Sequence, residues 1–123
     1  SGTQSRWVLF NGATLHASQL DNAAFVGSIF EGAELQGASA VAAKLQQCIF
    51  HHAKATAVNF ARADLSYADF SHADISDSDF SNATLLRTRF HLTTEDNTTF
   101  TNRSAALGND ESLARAEQWQ PSV

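Results

Sequence analysis

Histidine is the residue type in this sequence whose spacing most directly suggests chemistry. His52 and His72 are twenty residues apart, so in a chain that repeats with that period their imidazoles lie on adjacent strands, about 5 Å from each other. Imidazole nitrogens bind Zn²⁺ and similar divalent ions, which makes the pair a candidate metal site. His51 and His91 are expected to point out from the same side, whereas Cys48 is expected to face inward. Because no carboxylate completes the set, a solvated polar ladder is the alternative.

Acidic residues form the second candidate group. Asp64, Asp69, Asp74 and Asp79 recur every five residues. Carboxylates stacked along one face, at the spacing of a phosphate backbone, would imitate DNA. If twenty residues make one coil, however, these four fall on four successive sides and form a belt around the coil. The simpler interpretation is that each is a turn residue whose carboxylate bonds to nearby backbone.

An enzyme active site is not indicated by any set of residues in the sequence. Ser, His and Asp are abundant, but on a convex column they would scatter outward without a cleft that excludes water. No Gly-rich phosphate loop follows a strand and opens a helix. We therefore predict a non-enzymatic protein that binds neither a small-molecule substrate nor a cofactor.

Length and composition restrict the class of protein further. The 123 residues fit one domain, and no run of about 18 apolar residues predicts a membrane span. A single Cys excludes a disulfide framework within the chain. The net charge of −5 has the wrong sign for general nucleic-acid binding. No signal peptide opens the chain, so we expect a cytoplasmic protein, and the Ser1-Gly2 start suggests a chain cut from a longer one.

A five-residue repeat organises most of the chain. Phe, Leu or Ile occupies every fifth position from 10 to 90, except at Ala40 and Ala55, and the position two before is a small residue in all but two cases, Val8 and Val58. A period of five smears apolar residues around a helix and flips them between the two faces of a flat strand. The pattern is consistent only if the chain turns a corner every five residues, so that the large and small residues both point toward a common axis.

A second period gives the number of corners in one coil. Phe recurs at twenty-residue intervals along one series: Phe10, Phe30, Phe50, Phe70 and Phe90. Twenty residues per coil means four sides, with like residues stacked between neighbouring coils. At the spacing of adjacent strands, roughly four and a half coils make a column about 20–25 Å long. These Phe residues are the predicted structural core.

The repeat resembles that of the pentapeptide-repeat proteins, whose consensus is A-(D/N)-L-x-x. Close copies are Ala63-Asp64-Leu65, Ala68-Asp69-Phe70, Ala73-Asp74-Ile75 and Ser78-Asp79-Phe80. The resemblance covers about residues 8–102 and implies an all-β fold, a right-handed quadrilateral β-solenoid of about 4–5 coils. Lys44, Lys54 and Arg89 depart from the consensus acid or amide, which changes the expected turn hydrogen bonds locally but not the fold.

The ends of the repeat define the predicted domain organisation. Residues 1–7 are a lead-in or a tag remnant, 8–103 form the solenoid, and 104–123 form a C-terminal cap. Glu95 lies in a centre position and Arg103 in a small-residue position, where an unpaired buried charge is costly. Residues 110–119 read as a short α-helix that begins near Asn109 and ends before Pro121. Such a helix would cover the last coil, while Trp7 and Val8, or a missing upstream segment, would plug the first.

One outward column is apolar. Leu9, Ile29 and Ile49 directly precede the Phe10, Phe30 and Phe50 series, so they should face solvent, and Val26 widens the stripe across the corner. Three stacked aliphatic residues on a β surface indicate a site that binds another protein or a second copy of the chain. The alternative is that residues 1–7, or a segment upstream of them, cover the stripe.

Two functions follow from these features and from the resemblance. The first is a rigid protein–protein interaction module or scaffold. The C-terminal stretch Asp110–Pro121 is similar to the tail of bacterial pentapeptide-repeat proteins associated with type VI secretion, which implies an adaptor that helps to load effectors. The alternative is a DNA mimic that binds and inhibits a type II topoisomerase, because some members of the family do so. A mimic should form a longer, strongly acidic rod, whereas this column is short and weakly charged.

Overall fold

The fold is an all-β solenoid built from short parallel pairings between residues of successive coils. The computed structural model describes residues 9–10, 12–101 and 105–107. From Leu9 to Thr94, bridged residues are twenty positions apart, as in the series Leu9, Ile29 and Ile49. Two segments are regular strands, β1 (Asp79–Phe80) and β2 (Thr99–Phe100), and they pair in parallel with Phe80 opposite Phe100. No helix that could span a membrane occurs in these ranges.

A left-handed residue forms each corner. Every fifth residue from Gly12 to Asn97 has a positive φ, between 49° and 75°. The corner is closed by a backbone hydrogen bond, as where the Ala33 N–H donates to the Phe30 carbonyl at 3.0 Å. Only four of these eighteen residues are glycine, although an L-residue in this region is strained. The bonds within the corners and between the coils hold the other fourteen in place.

This strain leads to a prediction for Ala57, an exposed corner residue with a φ of 54°. Ala57→Gly should raise the free energy of unfolding by about 0.5–1 kcal/mol, because relief of the left-handed strain exceeds the entropic cost of glycine. Ala53→Gly is the control, since Ala53 is buried and loses a packed methyl, which costs about 1 kcal/mol. Urea denaturation should give opposite signs for the two variants, and destabilisation by both would contradict the argument.

The core is a set of stacked aromatic columns along the axis. Phe30, Phe50 and Phe70 are almost fully buried, and their ring centroids are 4.8 Å and 4.5 Å apart along the stack. A second column, Phe60, Phe80 and Phe100, stacks at 4.9 Å and 5.1 Å and meets the first edge-on. Small residues fill the space beside the columns. Where Ala40 takes a centre position, it borders an apolar cavity of about 10 Å³.

The C-terminal end of the ladder extends past the last clear repeat. Glu95 is only half-buried in its centre position, which lessens the desolvation cost of the charge. The chain then returns to the ladder at Leu107, which pairs in parallel with Arg89 only eighteen positions away. The predicted helix at 110–119 and the predicted plug at Trp7 and Val8 lie outside the described residues, as does most of the predicted cap.

Candidate interaction face

One side of the solenoid carries the candidate stripe. Parallel bridges join its central residues into a single column, in the order Leu9, Ile29, Ile49, Asp69, Arg89 and Leu107. The first five residues of this column each directly precede an inward Phe, so their side chains point away from the axis. Leu107 continues the column because it pairs with Arg89. The upper half of the column is therefore aliphatic, and the lower half begins with one acid and one base.

The predicted stripe residues differ in their exposure. Leu9 is 71% exposed, while Ile29, Ile49 and Val26 are half-buried. Stacking at the coil spacing covers the flanks of the central side chains and leaves their tips accessible. The structure thus brings the four residues to one side of the molecule, and whether they bind a partner stays a prediction.

Three further apolar residues lie on the same side, and the sequence interpretation missed them. Tyr67, Leu86 and Leu107 are 53%, 46% and 41% exposed. Tyr67 and Leu86 are on the corner that leads into the column, and the Tyr67 N–H donates to the Leu86 carbonyl at 2.9 Å. The outward positions of these residues in the five-residue repeat could have predicted their exposure from the sequence. Together with Leu9 they are all the exposed large hydrophobic residues in the described ranges. We call the seven residues the interaction face: Leu9, Val26, Ile29, Ile49, Tyr67, Leu86 and Leu107.

A polar groove of about 350 Å³ lies beside the lower half of the column, on the corner that leaves it. The ring N–H at His51 Nε2 donates to Asp69 Oδ2 at 2.7 Å. The rings of His52 and His72 stack at 5.0 Å, nearly parallel. His91, which was expected to point out from this side, lines the groove but is fully buried, with its ring packed edge-on against His72. The lining residues are His51, His52, Asp69, Ser71, His72, Arg89 and His91.

The candidate metal site consists of His52 and His72, whose rings stack on each other. Within the described ranges, no group of three or more His, Cys, Asp or Glu is arranged to hold a metal ion. Cys48 is buried, and its thiol donates to the Phe25 carbonyl at 2.9 Å. Burial raises the pKa of this thiol to about 12, so it is a poor source of thiolate. Metal binding by the histidine pair stays a prediction.

The four consecutive aspartates form a belt and bond to their own corners. Asp64, Asp69, Asp74 and Asp79 each pair with a different column of residues. In each case Oδ1 accepts a hydrogen bond from the backbone N–H two residues later, as from Ser71 to Asp69 at 2.9 Å. Their interpretation as turn residues is therefore confirmed. Lys44 precedes Asp64 in its column and Lys54 precedes Asp74, so in the described part of the chain none of the four columns that carry these aspartates is acidic along its length.

Asp69 is the acidic residue among those that line the groove, and its environment favours the ionised carboxylate. Burial acts to raise the pKa of this carboxyl, but hydrogen bonds from His51 and Ser71 outweigh it and hold the pKa below its usual value. A lowered folded-state pKa contributes stability that is present above the unfolded pKa, near 4, and is lost as the pH falls through the folded one.

A prediction on acid denaturation follows from Asp69. Between about pH 4 and pH 2, Asp69→Asn should lose less stability than the parent, because it has no carboxylate to protonate. At pH 7 the same variant should be less stable than the parent. Asp77→Asn, at an exposed corner, is the control and should follow the parent curve. Urea denaturation at stepped pH measures both, and parallel curves for Asp69→Asn and the parent would contradict the prediction.

Comparison with known proteins yields one family and several similar structures. Residues 23–100 match the family model of the pentapeptide repeat region. HetL, a pentapeptide repeat protein involved in heterocyst differentiation regulation from the cyanobacterium Nostoc sp. strain PCC 7120, has a TM-score of 0.66 at 17% identity, over 82% of this chain and 60% of HetL. This chain therefore spans about 60% of the length of HetL.

Two further structures are less similar. QnrB1, a plasmid-mediated fluoroquinolone resistance protein, has a TM-score of 0.47 at 16% identity, over 88% of this chain and 78% of QnrB1. A pentapeptide repeat protein from the Arabidopsis thaliana thylakoid lumen has a TM-score of 0.42 at 20% identity, over 94% of this chain and 75% of that one. A search of curated proteins found no match. At these identities the likeness concerns the fold alone.

Proposed function

We propose that this chain, which belongs to the pentapeptide-repeat family, is a non-enzymatic module that binds another protein through the interaction face. The observation that carries the proposal is the placement of the exposed large hydrophobic residues of the described ranges on one side of the solenoid. Scattered apolar residues are normal on a protein surface, whereas a contiguous group indicates a binding site.

The ladder suits such a face because it presents the side chains on a rigid frame. Ile29 is bonded into two neighbouring coils, since it bridges both Leu9 and Ile49, and the inward Phe30 beside it is locked into the aromatic stack. A preformed surface loses little conformational entropy on binding. Binding energy is then available from the apolar area that the partner covers.

The finer features of the proposal come from the resemblance to the family. In this organisation residues 8–103 form a right-handed solenoid of about 4–5 coils, and residues 104–123 form a cap with a short helix. The C-terminal stretch Asp110–Pro121 supports an adaptor role in loading effectors for type VI secretion, which would place the protein in the cytoplasm. The identity of a partner would test that role directly.

Ile29→Asp tests the upper, aliphatic part of the interaction face. Its inward neighbours Ser28 and Phe30 are unchanged, so the fold should persist. A buried carboxylate without a partner should weaken binding by about 1–3 kcal/mol, or roughly 5- to 150-fold. Gln19→Asp, at an exposed outward position on another side, is the matched control. Capture of a specific protein from the native host by the parent and by Gln19→Asp, but not by Ile29→Asp, is the expected result. Equal capture by all three would refute the proposal, and unfolding by Ile29→Asp would refute the outward assignment.

The DNA-mimic alternative makes the opposite prediction about a topoisomerase. Because the aspartates form a belt tied to the corners and Lys44 and Lys54 interrupt their columns, we expect no continuous acidic track of the kind that a phosphate backbone presents. DNA supercoiling by a type II topoisomerase should therefore be unchanged by the protein at micromolar concentrations. Clear inhibition in a gel-based supercoiling assay would favour the mimic over the interaction module.

A further inference from the structure

The lower half of the column, taken together with Ile49 directly above it, is complementary to itself. Along the column the order is Ile49, Asp69, Arg89 and Leu107, which is a half-buried acid and a half-buried base flanked on both sides by an aliphatic residue. The Asp69 carboxylate keeps its hydrogen bonds to His51 and Ser71. A second copy turned end over end presents the same column in reverse. With the midpoint between Asp69 and Arg89 as the centre, Asp69 then faces Arg89 of the other copy, and Ile49 faces Leu107.

The adjacent corner has the same property. Tyr67 and Arg87 occupy equivalent corner positions on neighbouring coils, and both are exposed. The same end-over-end rotation places the Tyr67 ring of one copy against Arg87 of the other, a favourable cation–π pairing. A parallel dimer, with its two-fold axis along the solenoid direction, would instead set Asp69 against Asp69 and Arg89 against Arg89. Both arrangements are isologous two-fold interfaces, and charge selects the antiparallel one because it places opposite charges against each other.

We propose that the lower half of this side binds a second copy of the chain in an antiparallel, two-fold dimer. The inference rests on the proposed function only in using the same side of the solenoid. Because the overlap extends from Ile49 to Leu107, the upper residues Leu9, Val26 and Ile29 project beyond it in both copies. The dimer thus presents two apolar patches, one at each end, to the partner of the proposed function.

The size of the overlap sets the expected affinity. Four coils correspond to about 15–20 Å of column, and one side of a solenoid is narrow, so the buried area falls at the low end for protein interfaces. We expect a reversible dimer with a Kd in the micromolar range or weaker. Sedimentation equilibrium from about 10 µM to about 1 mM protein covers that range.

A pair of charge reversals tests the arrangement. Asp69→Arg and Arg89→Asp should each weaken self-association by about tenfold or more, because like charges then face each other. An equimolar mixture of the two variants should form a heterodimer as well as the parent forms a homodimer. The arginine introduced at position 69 then faces the aspartate introduced at position 89, and the native Arg89 and Asp69 face each other.

Controls separate this effect from unfolding. Asp79→Arg removes an equivalent corner bond on another side, and Arg62→Asp reverses an exposed charge on another side; both should dimerise like the parent. If Asp69→Arg fails to fold, Arg87→Glu replaces it and should also weaken the dimer. A maleimide cross-linker about 10 Å long, the separation of packed sheets, should join Ile49→Cys to Leu107→Cys in a mixture, because Cys48 is buried and does not compete.

The outcomes also separate this inference from the proposed function. A chain that stays monomeric at 1 mM, or a dimer that neither charge reversal weakens, overturns the inference. Ile29→Asp lies outside the overlap, so it should leave the dimer intact while it abolishes partner capture. If the parent is monomeric and Ile29→Asp loses partner capture, the proposed function stands and the dimer does not. An intact dimer with unchanged capture would sustain the dimer alone.

Discussion

Phe50→Ala is expected to lower the free energy of unfolding by about 3–5 kcal/mol. Phe50 is 1% exposed and lies between the parallel rings of Phe30 and Phe70, at 4.8 Å and 4.5 Å. A third ring, Phe60, meets its edge at 6.2 Å. Removing the ring leaves a hole that the surrounding structure cannot close, because the backbone of each coil is bonded to the coils above and below it. The loss of transfer energy and the cavity therefore both contribute.

Phe10→Ala is the matched control for Phe50→Ala. Phe10 stacks on Phe30 at 4.6 Å and is half-buried, so the same substitution should cost less than half as much. Urea denaturation followed by circular dichroism measures both variants. An effect of Phe50→Ala below about 1 kcal/mol, or one no larger than that of Phe10→Ala, would mean that the stack does not hold neighbouring coils together.

The sequence was sufficient to predict an all-β solenoid because its inward positions keep the same five-residue phase from Phe10 to Phe90. Once Phe30 and Phe50 are placed one above the other, the twenty-residue spacing determines the bridge between Ile29 and Ile49. The same periodicity correctly distributed Asp64 and Asp69 to different sides. Residues that face the axis are constrained by the coils above and below them, so their pattern is legible without a structure.

Outward positions were harder to interpret because no stacking rule constrains them. His91 was expected outside and is buried against His72, and Tyr67 was overlooked. Several polar contacts between outward side chains do follow a rule, however, since they join residues eighteen positions apart, whereas the His52 and His72 rings stack at a separation of twenty. A corner side chain reaches the residue that precedes the centre of the next coil, as His51 reaches Asp69. Three further pairs of this kind are His16 with Glu34, Asp21 with Ser39, and Gln46 with Asp64.

Small-residue positions beside the aromatic columns carry the second large effect. Ala68 is 1% exposed and lies in the series that contains Cys48 above it and Thr88 below. Those two side chains each donate to a carbonyl twenty-three residues earlier, from Cys48 to Phe25 and from Thr88 to Leu65. The space at such a position therefore holds one or two atoms beyond Cβ, and it includes an acceptor for a polar one.

Ala68→Leu should accordingly destabilise the protein by about 1–3 kcal/mol or more, whereas Ala68→Ser should change its stability by less than about 1 kcal/mol. Leucine adds three carbon atoms to a buried position whose neighbours in the series are fixed at the coil spacing, so side chains or coils must shift. Serine adds one oxygen that can donate to the Leu45 carbonyl, the acceptor twenty-three residues earlier. Thermal and urea denaturation of both variants provide the measurement. If serine proved as disruptive as leucine, the position would be limited by volume alone, and the carbonyl would contribute nothing to the choice of small polar residues in the repeat.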